Sequence, residues 1–116
     1  MTQHQQVTVR VGDLEADVDE GMAELVKACW RAGIGTEESC EEVATNSGMA
    51  RLAFDTLGDM EHFYEAVRDE CDDLPDAWRF ELWADGGLLG FVVLPRERLA
   101  WAASRLAAIS VTSQTP

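Results

Sequence analysis

The periodicity of apolar side chains changes between Val7 and Trp30, and that change constrains the fold more than any other feature of the chain. Val7, Val9 and Val11 alternate with Thr8 and Arg10; after Gly12-Asp13, Leu14, Ala16 and Val18 alternate with Glu15 and Asp17. Two period-2 runs around a Gly-Asp pair predict a β-hairpin with a type II′ turn. From Val18 the spacing becomes helical: Val18, Met22, Leu25, Val26, Cys29 and Trp30 share one face. The predicted helix is capped at Asp17 or Asp19. It carries Lys27 and Arg31 near its C-terminus, where the helix dipole favours cations. Gly33 then supplies a left-handed residue and Ile34 folds back onto the last turn.

Further along, Gly35 to Gly48 is a polar connection, within which Ser39 to Val43 fits a helical turn. Ala50, Leu52 and Phe54 alternate with Arg51 and Asp55 as a half-buried strand. Gly58-Asp59 opens a second helix with Met60, Phe63, Val67, Cys71 and Leu74 inward, stopped by Pro75. Trp78, Phe80, Leu82 and Ala84 alternate with Arg79, Glu81 and Trp83; Asp85-Gly86-Gly87 turns the chain, and Leu88 to Leu94 returns as a strand apolar on both faces. Pro95 suits the first turn of a third helix with Leu99, Ala102, Ala103 and Leu106 inward. The order β-β-α-β-α-β-β-α predicts an α+β fold, with a mixed or antiparallel sheet of about five strands and helices packed on it. At 116 residues the chain is expected to be one domain, 1–116, with 1–6 and 110–116 flexible.

Charge narrows the partners. Twenty-two Asp and Glu stand against nine Lys and Arg, a net charge of −13. Such a surface repels phosphate backbones and anionic bilayers, so neither direct nucleic-acid binding nor membrane binding is expected. The longest apolar run, Leu88 to Leu94, is too short to span a bilayer, and the N-terminus lacks a basic stretch followed by an apolar one. Three widely spaced cysteines read as reduced thiols of a cytoplasmic protein rather than a disulfide framework.

No catalytic constellation emerges. Thr36, Ser39, Cys40 and Glu41 form a polar loop of the kind that carries function, but Glu37, Glu38, Glu41 and Glu42 surround the thiol and oppose a thiolate. The histidines, His4 and His62, fall in the N-terminal tail and off the second helix's apolar face. Cys29 and Cys71 sit on inner helix faces, where a free thiol behaves as a small hydrophobe. Asp13, Glu15, Asp17, Asp19 and Glu24 imitate calcium-loop spacing, but Val18 stands where the loop requires glycine. No metal or cofactor is therefore expected. Trp83 and Trp101 lie off the predicted core, and Phe91 lies in the strand that is apolar on both faces. These three are the expected interface residues of a homodimer or of a protein-binding surface; the alternative is that helices cover both sheet faces and both indoles are core.

The segment from Trp30 through Gly33-Ile34-Gly35-Thr36-Glu37-Glu38-Ser39-Cys40, followed by Gly48 to Phe54, resembles a group of small uncharacterised proteins of actinobacteria and their phages. Those proteins share a helix ending at Gly-Ile, a Thr-x-x-Ser-Cys loop and a short strand, and the likeness covers residues 7–70. It implies a shared architecture, marks Cys40 as a landmark, and implies no reaction. The functional expectation is a non-catalytic protein-interaction or regulatory domain. The alternatives are an acidic inhibitor that blocks a nucleic-acid-binding protein, and a small ligand-binding or enzymatic domain centred on Thr36–Cys40.

Overall fold

The N-terminal hairpin forms as its alternation predicts. β1 (Gln6–Val11) pairs antiparallel with β2 (Leu14–Asp19), setting Val7 against Val18, Val9 against Ala16 and Val11 against Leu14. Gly12 takes a φ of +59° in the turn, open to glycine at little cost. The opposite face carries polar cross-strand pairs: Gln6 Nε2 donates to Asp19 Oδ1 (3.4 Å), Thr8 Oγ1 to Asp17 Oδ1 (2.6 Å) and Arg10 Nε to Glu15 Oε1 (3.0 Å). The computed structural model describes residues 5–40, 48–73, 77–84 and 88–114, without the side chains of 83, 88 and 110–114.

This ladder corrects the start of the first helix. Val18 and Asp19 belong to β2, a single 3-10 turn spans Glu20–Met22, and α1 runs Ala23–Arg31. The Asp19 carboxylate accepts from Gln6 and makes no capping bond, because strand pairing holds the residue extended. The end of α1 matches expectation. Gly33 (φ +80°) donates to Trp30 O and Ile34 donates to Cys29 O at 2.8 Å, the paired bonds of a Schellman cap. Ile34 is then buried in the core.

The larger correction concerns the connection after Gly35. Thr36–Cys40 is a strand, β3, and not a loop or helical turn. It pairs antiparallel with β4 (Met49–Phe54); β4 pairs with β6 (Leu88–Pro95), and β6 with β5 (Arg79–Ala84), in the order β3-β4-β6-β5. The fold is α+β with six described strands in two antiparallel sheets, rather than about five in one. A polar sequence can form β3 because β3 is an edge: β4 supplies its hydrogen bonds, so it needs no apolar alternation of its own. The Asp55 N–H to Gly35 O bond (3.1 Å) extends the pairing past Thr36.

α2 (Leu57–Asp73) starts one residue earlier than Gly58-Asp59 suggests, because Thr56 and Asp59 form a capping box. Asp59 N donates to Thr56 Oγ1 (3.1 Å), and Thr56 N donates to Asp59 Oδ2 (3.1 Å). Gly90 in β6 admits this helix: a Cβ there would stand 2.8 Å from Met60 Sδ and 3.2 Å from Leu57 Cδ2. After a 3-10 turn at Arg96–Arg98, α3 runs Leu99–Gln114, so helix continues through much of the segment expected to be flexible. Pro75 and the Asp85-Gly86-Gly87 turn lie outside the described residues.

The three helices contribute to one core with the inner sheet face. Met22, Leu25 and Val26, Phe63 and Val67, and Leu106 meet Leu52, Phe54, Val92 and Leu94 there. Burying each such side chain is worth about 1.5–3 kcal/mol. α1 packs chiefly on α3 and on the hairpin; α2 crosses β6 and β4. On the opposite sheet face Ala53, Phe91 and Val93 form a second, smaller cluster. Among the described residues no helix is long and apolar enough to cross a membrane.

Candidate functional site

β2 and β3 run beside one another, yet no ladder joins them. The gap between hairpin and sheet holds two adjoining clefts. One, of about 260 Å³, is lined by Ala16 to Val18, Trp30, Thr36 to Ser39 and Arg51. The other, of about 350 Å³, is lined by Leu14 to Ala16, Trp30, Gly33 to Thr36 and Asp55. A water molecule's share of liquid is about 30 Å³, so each cleft has room for a side chain.

Trp30 belongs to both. It comes from the last turn of α1, where the Schellman cap turns the chain back toward β3. Its indole N–H donates to Thr36 Oγ1 at 3.0 Å. That bond satisfies the polar end of the half-buried indole and pins the ring between hairpin and sheet. The surroundings are acidic. Asp17, Glu37 and Glu38 line the first cleft against a single Arg51, and Glu15 and Asp55 line the second. Asp17 is engaged by Thr8 and Glu15 by Arg10, whereas among the described residues no cation pairs with Glu37 or Glu38. Arg51 places its guanidinium over the Phe91 ring, 5.7 Å from the centroid. An aromatic face among unneutralised carboxylates attracts cationic groups.

The expected functional loop thus becomes the β3 wall of this site. Thr36 accepts from Trp30, Ser39 lines the first cleft, and Cys40 is half-buried in register with Arg51 on the sheet face away from the helices. Glu41 lies outside the described residues. A bulge between Thr36 and Glu38 throws Glu37 out of the ladder. The expected interface residues lie elsewhere. Phe91 is 4% exposed in the chain, and Trp83 pairs in register with Leu89, its side chain lying outside those described. Trp101, half-buried, packs edge-on against Trp78 at 6.1 Å between centroids, with Arg105 over its ring at 5.7 Å. Arg105 also reaches α2, through Ala66 O and Asp69, and so links the Trp101 ring to that helix.

Burial pushes the Cys29 thiol well above its ordinary range. Cys71 is pushed up to about 12, by burial first and then by Asp72 and Glu70 beside it. Among the described residues no three His, Cys, Asp or Glu side chains gather as metal ligands. Sequence reasoning missed Trp30, which it read only as core, and the β2 wall. The available signal was Thr36, a hydroxyl six residues beyond an indole that needed an acceptor. Comparisons with protein-family models, curated proteins and solved structures return no match for this chain.

Proposed function

We propose that this protein is a non-catalytic interaction domain, working as a homodimer, that binds an extended basic segment of a partner protein in the β2–β3 clefts. One observation carries the binding half of the reading: the Trp30 ring stands between β2 and β3, which no described strand joins, with Glu37 and Glu38 open to a cation. An incoming strand gains main-chain hydrogen bonds from an edge, while side-chain pockets select its residues. Here the selective pockets favour Arg or Lys. The net charge of −13 draws such a segment in from a distance.

The test is calorimetric titration with a short peptide of alternating Arg and Thr, against a control of alternating Glu and Thr. Micromolar binding of the basic peptide, lost in Trp30→Ala protein whose circular dichroism is unchanged, supports the reading. Equal affinity for both peptides, or binding indifferent to Trp30, refutes it.

A further inference from the structure

β5 is the other edge of the four-stranded sheet, and its chemistry differs from that of β3. Its register with β6 is continuous from Arg79 to Ala84, without a bulge. Among the described residues no strand pairs with its outer side. Natural edges are usually blunted by bulges, prolines or a run of like charge. β5 has none of these: it carries one cation and one anion, Arg79 and Glu81, whose side chains meet at 2.8 Å. It also carries Leu82, 56% exposed, the most exposed large hydrophobic side chain among those described.

We infer that two copies of the chain dimerise through their β5 edges, joining the sheets antiparallel across a two-fold axis at Phe80. The inference rests on the homodimer half of the proposed function and adds where and how the copies meet. Charge complementarity selects the register. When Phe80 crosses its own counterpart, Arg79 lies opposite Glu81 of the second copy, and Glu81 opposite its Arg79. The ion pair within each strand becomes two ion pairs between strands. Leu82 then lies diagonal to Phe80 of the second copy, within reach of cross-strand packing. Tyr64, edge-on to Phe80 at 5.4 Å, backs that contact from α2. The same operation at β3 would set Glu37 and Glu38 against their own copies, so β3 rejects this partner.

Sedimentation velocity on the full chain tests the inference through charge reversal and mixing. Wild-type protein is expected to be dimeric at about 100 μM, a concentration at which a micromolar complex is saturated. R79E and E81R each place like charges opposite one another twice and weaken the dimer about thirtyfold. An equimolar mixture of the two variants restores Arg–Glu opposition and is expected to form a heterodimer, which no effect confined to one chain would produce. Unchanged circular dichroism and melting show that the variants fold. A monomeric wild-type protein overturns both the dimer and its interface. A dimer indifferent to the reversals overturns the β5 assignment and leaves the homodimer standing. Weakened variants that fail to recombine overturn the Phe80-centred register.

Discussion

The two edges of the four-stranded sheet present nearly the same backbone and opposite invitations. β3 is short and bulged at Glu37; it carries two adjacent glutamates, and Trp30 holds its Thr36 hydroxyl. β5 is unbulged, balanced in charge at Arg79 and Glu81, and greasy at Leu82. Both leave ladder positions unfilled by described strands. What differs is the side-chain field through which a partner must approach. Like charges repel a second copy and attract a cation, whereas alternating opposite charges complement themselves under two-fold symmetry. Two copies of a chain of net charge −13 can meet only along a strip where that surface is not repulsive to itself. β5 is such a strip and β3 is not.

The sharpest way to break this contrast is to reverse the charge of one edge alone. Glu37→Lys with Glu38→Lys turns the mouth of the clefts cationic. The basic peptide is expected to bind about a hundredfold more weakly, from lost attraction plus new repulsion. The sedimentation of the variant should remain that of the wild type; a dissociated dimer would mean that β3, not β5, joins the copies. Conversely, Leu82→Lys installs the charge that natural edges use for protection. It should weaken self-association about tenfold while the titration curve with peptide stays in place. A change in both assays would show that the edges are coupled.

Salt separates them without mutation. Raising ionic strength from about 0.05 to 0.5 M shortens the Debye length from roughly 14 to 4 Å. Peptide affinity at β3 should then fall about tenfold, because attraction of opposite charges is screened. Self-association should hold or strengthen, because the screened long-range term there is repulsion between two anionic chains. Parallel salt series by calorimetry and sedimentation check the opposite signs. Two slopes of the same sign would remove the electrostatic distinction.

A smaller effect probes the indole. Trp30→Phe keeps an aromatic face and removes the N–H that Thr36 accepts. The variant is expected to lose about 1 kcal/mol of stability, the net worth of one hydrogen bond. Its affinity for the peptide should drop about threefold, as the weaker quadrupole of phenyl replaces indole. Denaturant midpoints and titrations measure the two losses separately. Wild-type affinity in this variant would remove the indole from the site.

The sequence made these edges legible to unequal degrees, for physical reasons. β5 was readable because Trp78 and Phe80, which pack on the core, alternate with Arg79 and Glu81, and the exposed Leu82 continues the same period. The hairpin was readable from its valines, and the end of α1 from Gly33 and Ile34, because both signals are local. β3 was not, since Thr36-Glu37-Glu38-Ser39-Cys40 owes its extended form to hydrogen bonds with β4 and to nothing periodic of its own. Val18 fits two patterns at once, the alternation of β2 and the start of the helix. Pairing with Val7 outweighed the helical spacing and kept it in β2. The clefts were illegible altogether, because they depend on how the hairpin lies against the sheet. Trp30 could have been suspected, since an indole near a surface seeks an acceptor.

The finest discrimination between the edges comes from thiols. Cys40 lies on β3, half-buried, while Cys29 and Cys71 are buried in the core. With its pKa pushed up to about 12, Cys71 stays protonated at pH 8, and Cys29, more deeply buried, does so too. A thiol reagent at that pH should therefore modify one cysteine per folded chain, Cys40. Saturating basic peptide should slow that reaction about threefold by covering β3, whereas dilution across the monomer–dimer transition should leave its rate unchanged. The same raised values fix the alkaline limit of both experiments. The folded state holds these two protons more tightly than the unfolded chain, so their contribution is complete below about pH 8.5, the unfolded thiol value. It is lost as pH rises from there through the folded values, and urea midpoints should fall over that range. Modification of Cys40 that quickens on dilution, or ignores the peptide, would erase the division of labour between the two edges.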